Sequence, residues 1–363
     1  MIKTFIKAAT LAAVICSISL GGGCSKTEQK MEVPEIKVIT MENVHGVMAP
    51  DDDHIWITGN WGTIYHSSDA GENWIQQDSG IKESEAILCD GTFLDIRNGW
   101  VVGIRGTILH TTDGGSAWAR QNTETDRHLF GIFFTDKDYG WAVGEWGVII
   151  HTTDGGNTWQ RQGEEFDRML NNITFVDRKE GWLVGERGVI MHTADGGANW
   201  SIQLPKAFER ADEEEELLNP PPSLFGVCFT DRNNGWACGI DGTIIKTTNG
   251  GEIWEELPSG TAKTLYTIFI KYGKGWVVGD KGTYLTSNDG GSTWEWHKDV
   301  IKSRWPFRDI YFSSPQKGWA VGQGGSVVHT VDGGKTWEFR SGISYAMDFF
   351  QMPKALEFGG GVE

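Results

Sequence analysis

Cysteine is scarce in this chain, five in 363 residues. Cys16 and Cys24 lie near the N-terminus, and Cys89, Cys228 and Cys238 have no Cys-x-x-Cys spacing. That excludes a disulfide scaffold and a cysteine-based zinc site. Positive charge is short as well, with 32 Lys and Arg against 49 Asp and Glu and a net charge of -17. Such a surface repels phosphate backbones and anionic headgroups, so nucleic acid is not expected as a partner, although a local basic patch remains compatible. No Gly-x-Ser-x-Gly, phosphate loop or dinucleotide fingerprint is present, and nothing calls for a cofactor or a metal.

The apolar run Ala8–Leu20 follows Lys3 and Lys7 and is too short for a permanent membrane span. Gly21-Gly22-Gly23-Cys24 comes next. Residues 1–23 therefore read as a lipoprotein signal peptide, with Cys24 as the lipidated N-terminus. Leu20 stands one place further out than the usual lipobox leucine, which leaves open a plain signal peptide cut at the same glycines. Residues 24–35 are polar and read as a flexible tether. The expected location is exported and lipid-anchored, on the periplasmic side of a bacterial membrane or the cell surface. Ser25, in place of the inner-membrane-retaining Asp, favours the outer membrane.

What the chain has in excess is tryptophan, 18 residues, and glycine, 49. All but four of the tryptophans belong to one phrase repeated seven times: Gly-Trp-x-x-Gly-x-x-Gly, a short apolar run, then Thr/Ser-x-Asp-x-Gly-x-x-Trp. Its first half contains Trp56, Trp100, Trp141, Trp182, Trp236, Trp276 and Trp319; its second half contains Trp74, Trp118, Trp159, Trp200, Trp254, Trp294 and Trp337. The first-half tryptophans recur about every 40–44 residues, with one interval of about 54, which is the length of a four-stranded propeller blade. The sequence thus predicts an all-β fold, a seven-bladed β-propeller of four-stranded antiparallel blades over residues 36–350, followed by a tail at 351–363.

The third repeat is the cleanest. Leu129–Phe134 is an apolar β run, expected as a fully buried innermost strand. Trp141–Gly144 and Val148–Thr152 follow as second and third strands, joined by a tight turn at 145–147, and Thr158–Gln162 forms the outer strand. In the box Thr152–Trp159 the Asp carboxylate accepts backbone N–H bonds across a turn, and Gly supplies the positive φ. The Trp fills the wedge between blades with its N–H seeking an acceptor. Asn249 replaces the box Asp in the fifth repeat, and Ser67 and Ser287 replace Thr. His66, His110, His151, His192 and His329 precede the box in five blades; third strands of different blades are too far apart for shared metal coordination, so these read as part of the repeat.

The phrases Gly140–Gly147 and Thr152–Trp159 resemble Asp-box, or BNR-type, repeats, found in sialidases, two-domain xyloglucan-degrading glucanases and sortilin-like receptors. They are most similar to the photosystem II assembly and stability factor family of cyanobacteria and plastids, whose cyanobacterial members are often lipoproteins. That resemblance implies a non-catalytic protein-binding propeller with an arginine patch on one face.

Connection parity separates the faces. Second-to-third turns and blade links emerge on one side, first-to-second turns and boxes on the other. The residue before the last Gly of the second-to-third turn is Trp61, Arg105, Trp146, Arg187, Asp241, Lys281 and Gly324. The links add Arg127, Arg168, Trp305 and Arg308 to this face. Arg and Trp dominate binding hot spots, so these residues are the candidate partner-binding site of a monomer. The bland alternative is solvated turn residues paired with Glu145, Glu186 and Glu164. The link from Trp200 to Leu224 is longer than its counterparts by about a dozen residues, including Asp212–Glu216 and Pro220–Pro222, and reads as a mobile loop or short helix on the same face.

Catalysis finds little support. The Arg-Ile-Pro segment of sialidases is absent. Glu145, Glu186 and Asp280 occupy equivalent turns, where ring positions point outward together rather than converge as a glycosidase pair must. Cys228 and Cys238 are expected opposite each other across a turn at 231–234, with a strained bridge or two buried thiols both open. The reading is a lipid-anchored assembly scaffold for another extracytoplasmic protein. The alternative is a glycan-binding or glycoside-hydrolysing propeller using Trp61, Trp146 and Trp305. Blade closure is expected to borrow either Ile36–Met41 or Tyr345–Phe350.

Overall fold

The computed structural model describes residues 42–81, 86–164, 166–210 and 213–341. Seven four-stranded antiparallel sheets follow one another along the chain, each built from consecutive strands in meander order. They occupy residues 44–77, 88–120, 129–162, 170–202, 224–256, 265–296 and 307–341, here blades 1 to 7. In blade 3 the strands are Leu129–Phe134, Gly140–Gly144, Ile149–Thr152 and Gln160–Gln162. The signal, tether and tail assigned from sequence lie outside the described residues, as do both candidate closing segments, Ile36–Met41 and Tyr345–Phe350.

The second strand, not the first, is buried throughout: every residue of Gly140–Gly144, and of its counterparts Gly99–Gly103, Gly181–Gly185, Gly235–Gly239 and Gly318–Gly322, is covered. The innermost strand is only partly covered, because it lines the central channel.

Each blade is tied to the next through the Gly-Trp tryptophan. Trp141 is fully buried. Its ring stacks on His151 of its own blade, with centroids 4.6 Å apart, and on Phe175 of blade 4 at 3.7 Å. Trp56, Trp100 and Trp182 repeat the three-ring stack with His66 and Phe93, His110 and Phe134, and His192 and Phe229. The Gly before the Trp makes room for such a ring: a Cβ on Gly140 would lie 2.4 Å from Phe134.

Hydrogen bonds cross the same seam. Trp141 Nε1 donates to the carbonyl of box Gly196 in blade 4 at 3.0 Å, and Trp100, Trp182 and Trp236 donate likewise to Gly155, Gly250 and Gly291. The outer-strand glutamines reinforce them. Gln121 Nε2 donates to Gly155 O at 2.9 Å while its Oε1 accepts Trp159 Nε1 at 3.1 Å, and Gln77 and Gln203 make the same pair of bonds. Within the box, Asp154 Oδ1 accepts Thr158 N–H at 2.9 Å and the Thr152 hydroxyl at 2.8 Å, and that hydroxyl accepts Gly156 N–H. The Asp therefore shapes a loop whose Gly carbonyl is presented to the neighbouring blade.

The ring closes between blades 7 and 1 with a different set of contacts. Trp319 stacks on His329, but Ala49 stands where blades 2 to 5 and blade 7 present Phe, and Trp319 Nε1, like Trp56 Nε1 between blades 1 and 2, has no hydrogen-bond partner. In compensation Val47 N–H donates to Asp309 Oδ2 at 2.8 Å, the Ser313 hydroxyl to Asp52 Oδ1 at 2.6 Å, and Arg340 pairs with Glu72 at 3.0 Å.

Cys228 and Cys238 are free thiols. Cys228 lies opposite Trp236, and Cys238 opposite Gly226, so the sequence-based pairing is corrected. The cause is the turn: Asp231 Oδ1 accepts both Asn233 N–H and Asn234 N–H, which centres the hairpin one residue earlier than a symmetric reading assumes.

Two substitutions separate the ordinary seam from the closing one. Trp141→Phe removes a buried hydrogen bond, and Trp319→Phe removes none, so urea unfolding should show the first costing about 1 kcal/mol more than the second. Equal costs would mean that the indole N–H bond contributes nothing net.

Candidate functional site

The backbone places the turns and the links on one face. Gly106 N–H donates to Arg127 O at 2.8 Å, Gly147 N–H to Arg168 O at 2.7 Å and Gly282 N–H to Trp305 O at 3.1 Å, each a second-to-third turn resting on a link. The boxes meet the first-to-second turns on the other side, as in Gly155 N–H to Asp138 O and Gly196 N–H to Lys179 O, both at 2.9 Å.

The turn residues share a strained conformation. Trp61, Arg105, Trp146, Arg187, Asp241 and Lys281 have φ of 60°, 56°, 55°, 50°, 56° and 52°, and each is followed by a Gly with positive φ. These six account for most of the nine non-glycine residues with positive φ among the described residues. Two consecutive left-handed residues are what a tight hairpin matching the sheet twist demands. Blade 7 meets that demand with Gly324, φ 65°. A bulky residue there costs about 1–2 kcal/mol. The cost is accepted at six of seven turns and lifts the side chain off the rim: Trp61 is 53% and Trp146 48% exposed.

Blades 2 to 4 bring Arg105, Arg127, Trp146, Arg168 and Arg187 into succession. Arg105 N–H donates to His128 Nδ1 at 3.1 Å, and Arg187 N–H to Ser223 Oγ at 3.2 Å, fixing each turn on the link beside it. The Arg127 guanidinium lies over the Trp146 ring, 5.7 Å from its centroid. Arg168 Nη1 donates to Asp167 O at 2.7 Å. Trp61, on blade 1, donates its Nε1 to Glu42 Oε2 at 2.6 Å. Trp305 and Arg308 stand apart. Trp305 is half-buried beside Gly324, and Arg308 stacks over Tyr266, 4.0 Å from its centroid.

The carboxylates considered for catalysis are each engaged locally. Glu145 Oε2 accepts His128 N–H at 3.3 Å, Glu186 Oε2 accepts Met169 N–H at 3.0 Å, and Asp280 Oδ1 accepts the Tyr266 hydroxyl at 2.9 Å.

The insertion is an anchored short helix, Glu213–Leu218, on the turn side. Phe208, 2% exposed, joins the core with Trp182, Val184, Ile190 and Leu224, and it sits with Pro221 against Gly188, next to Arg187.

Two groups went unnoticed in the sequence. Asp90 and Asp309 line the central channel, part of a cavity of about 230 Å³ that also includes Asn172, Cys228 and Thr267. Asp90 accepts Gly91 N–H at 2.7 Å and, across the seam, Ile132 N–H at 3.1 Å; Asp309 accepts Ile310 N–H and Val47 N–H, both at 2.8 Å. Burial within the ring of strands, with Asp309 as a like-charged neighbour, pushes the Asp90 carboxyl up to about 7 against its N–H donors. Burial takes Asp309 to about 6. The signal in the sequence was slight: an acid where the equivalent inner-strand positions hold Gly46, Gly131 and Gly226.

Fold and box together define a seven-bladed Asp-box propeller. The sequence matches the family model of the photosynthesis system II assembly factor YCF48 over residues 81–163, 116–214, 163–258, 215–298 and 254–340, which together cover most of the chain. The chain belongs to that family. No curated relative matches it. Among solved structures, YCF48 bound to a D1 peptide is 24% identical, with a TM-score of 0.66, over 82% of this chain and 94% of that one. YCF48 from Cyanidioschyzon merolae is 18% identical, TM-score 0.66, over 81% and 97%. The GH74 xyloglucanase from Xanthomonas campestris is 10% identical, TM-score 0.66, over 85% of this chain and 55% of that one. These structural likenesses establish the fold; the family rests on the sequence match.

Relieving a strained turn should stabilise the protein. Trp146→Gly and Arg187→Gly are each expected to raise unfolding free energy by up to about 1 kcal/mol, less what glycine's flexibility takes back. A loss of stability in both would show that the side chains are structural.

The channel acids and the stacked histidines titrate in opposite senses. Asp90 and Asp309 are raised from 3.8, so the stability they contribute is present below pH 3.8 and lost as pH rises through 6 to 7. His66, His151 and His329 are lowered by burial from 6.5 to about 4, so theirs is present above pH 6.5 and lost as pH falls through 4. On acidification from neutral pH to about pH 5 the parent gains the contribution of the protonated acids and an Asp90→Asn/Asp309→Asn variant does not, so the variant's urea midpoint should fall further, or rise less, than the parent's. Parallel pH profiles would mean that the acids titrate normally.

Proposed function

We propose that this propeller is a non-catalytic assembly scaffold that binds an extracytoplasmic or membrane protein through its turn face. The observation that carries the reading is the row of strained turns. Residues that the fold would exchange for glycine are Trp and Arg on consecutive blades, on the side where Arg127 and Arg168 add further cations. Strain of this kind collects where side chains are presented to a ligand. The family supports the protein-binding sense, and a YCF48 structure holds a D1 peptide. The basic face on a chain of net charge -17 favours a partner segment bearing carboxylates.

Arrangement at the turns weakens the glycan reading. Arg127 lies over Trp146, Trp61 is tied to Glu42, and Trp305 is half-buried, so none is a bare platform for a sugar ring. Glu145, Glu186 and Asp280 brace their own turns and links. In the same proposal residues 1–23 are a cleaved signal and Cys24 carries the lipid, with the outer membrane as destination.

Native protein from mild-detergent membrane extracts, isolated beside the Arg105→Glu/Arg187→Glu variant, tests the scaffold. A discrete co-purifying protein lost in the variant supports it. Retention of the partner by the variant, or thermal stabilisation by saccharides that Trp146→Ala abolishes, sinks it. Palmitate labelling that persists in Cys24→Ser would remove the anchor.

A further inference from the structure

Blade 4 carries a feature that the turn-face reading does not use. Beyond its outer strand the chain makes an arm, described at residues 203–210 and 213–223, with no counterpart among the described residues of the other links. Two devices fix it. Phe208 is buried against Gly188 and Pro221, and the turn Lys206–Phe208 lies against the outer strand Glu255–Glu256 of blade 5. Arg210 then closes the loop, donating to Asn219 O at 2.8 Å, Glu209 O at 3.0 Å and Ala207 O at 3.3 Å. A six-residue helix has no stability of its own, so it is this base that holds Glu213–Leu218 in shape.

On that base stand Leu217 and Leu218, 70% and 78% exposed, with Ile202 and Leu204 exposed at the arm's root. The outer strands of blades 2, 3, 5, 6 and 7 carry Arg120, Arg161, Glu255, Glu295 and Glu338, the charges that protect a sheet edge; Ser201–Ile202, like Ile75–Gln77 of blade 1, carries none. Apolar side chains left in water on an anchored support mark an interaction surface.

Its surroundings specify the occupant. The helix that carries the leucines reads Glu-Glu-Glu-Glu-Leu-Leu, and the nearby cation, Arg210, is engaged with carbonyl oxygens. We propose that the arm docks a cationic amphipathic segment of a partner protein, its apolar side chains meeting Leu217 and Leu218 and its Lys or Arg meeting the acids. A second copy of this chain is disfavoured, because both would carry a net charge of -17. The arm and the basic turns thus offer sites of opposite polarity on one side of the ring.

The test uses the full chain and a fluorescent helical peptide of Lys and Leu, beside a Lys/Ser peptide of equal charge. Anisotropy should show saturable binding of the Lys/Leu peptide, weakened about tenfold or more by Leu217→Ser/Leu218→Ser. The melting temperature of that variant should stay within about 2 °C of the parent, both leucines being exposed. Ile75→Ser, equally exposed on blade 1, and Arg105→Gln/Arg187→Gln should not weaken binding. The arginine variant separates this proposal from the turn-face reading, which can fail independently. Equal binding of the Lys/Ser peptide, or undiminished binding by the leucine variant, overturns the proposal. A concentration-dependent dimer in sedimentation, lost in the leucine variant, would assign the arm to a second copy and overturn it too.

Discussion

The indole ring at the start of each repeat is the part on which the rest of the architecture depends. Strands within a blade are joined by backbone bonds, and any four-stranded sheet has those. What makes seven sheets a ring is the contact between them. In blades 1 to 4 a flat ring packed between a His of its own blade and a Phe of the next sets the spacing of the sheets, and for Trp100, Trp141, Trp182, Trp236 and Trp276 the single N–H selects one carbonyl on the neighbour. The stack supplies most of the attraction and little direction; the hydrogen bond supplies direction and little net energy. The Asp of the box serves that bond at one remove, since it shapes the loop that offers the carbonyl.

The histidines take their meaning from the same contact. Spacing showed that they belong to the repeat, and the structure shows why: each half-buried imidazole lies flat on the indole of its own blade, and partial burial lowers the pKa of His66 and His151 to about 4. Lys246 replaces His in blade 5 and lies over Trp236, 5.4 Å from the ring centroid, so a cation takes the imidazole's face, while Ile270 of blade 6 stands in the place of the Phe. The repeat tolerates chemical substitution as long as the indole faces remain covered.

Blade number, strand count and the grammar of the box were legible because they depend on short-range patterns repeated seven times. The second strand's complete burial was not, because the channel is a property of the closed ring, and a run such as Leu129–Phe134 looks the same whether one side is wet or dry. The Cys228 register escaped for a local reason, an Asp231 side chain that tightens its hairpin. Turn parity could be counted from strands alone, and so the exposed residues of the turn face could be named. Their left-handed backbone could not, since only Gly at the following position hinted at it. Asp90 and Asp309 escaped because an acid in an apolar strand has no signature until its N–H donors across the seam are in place.

Each blade, among the described residues, is one unbroken stretch of chain, and blades 7 and 1 meet through side chains with no strand exchanged between them. The seam is therefore chemically distinctive but topologically ordinary. A chain could begin at any link and still form the same seven sheets, and a link could accept foreign sequence without rethreading a strand. The arm after blade 4 is an instance of that freedom: its chain leaves the ring at Gln203, folds on its own anchor, and re-enters at Leu224 with the blades on either side undisturbed.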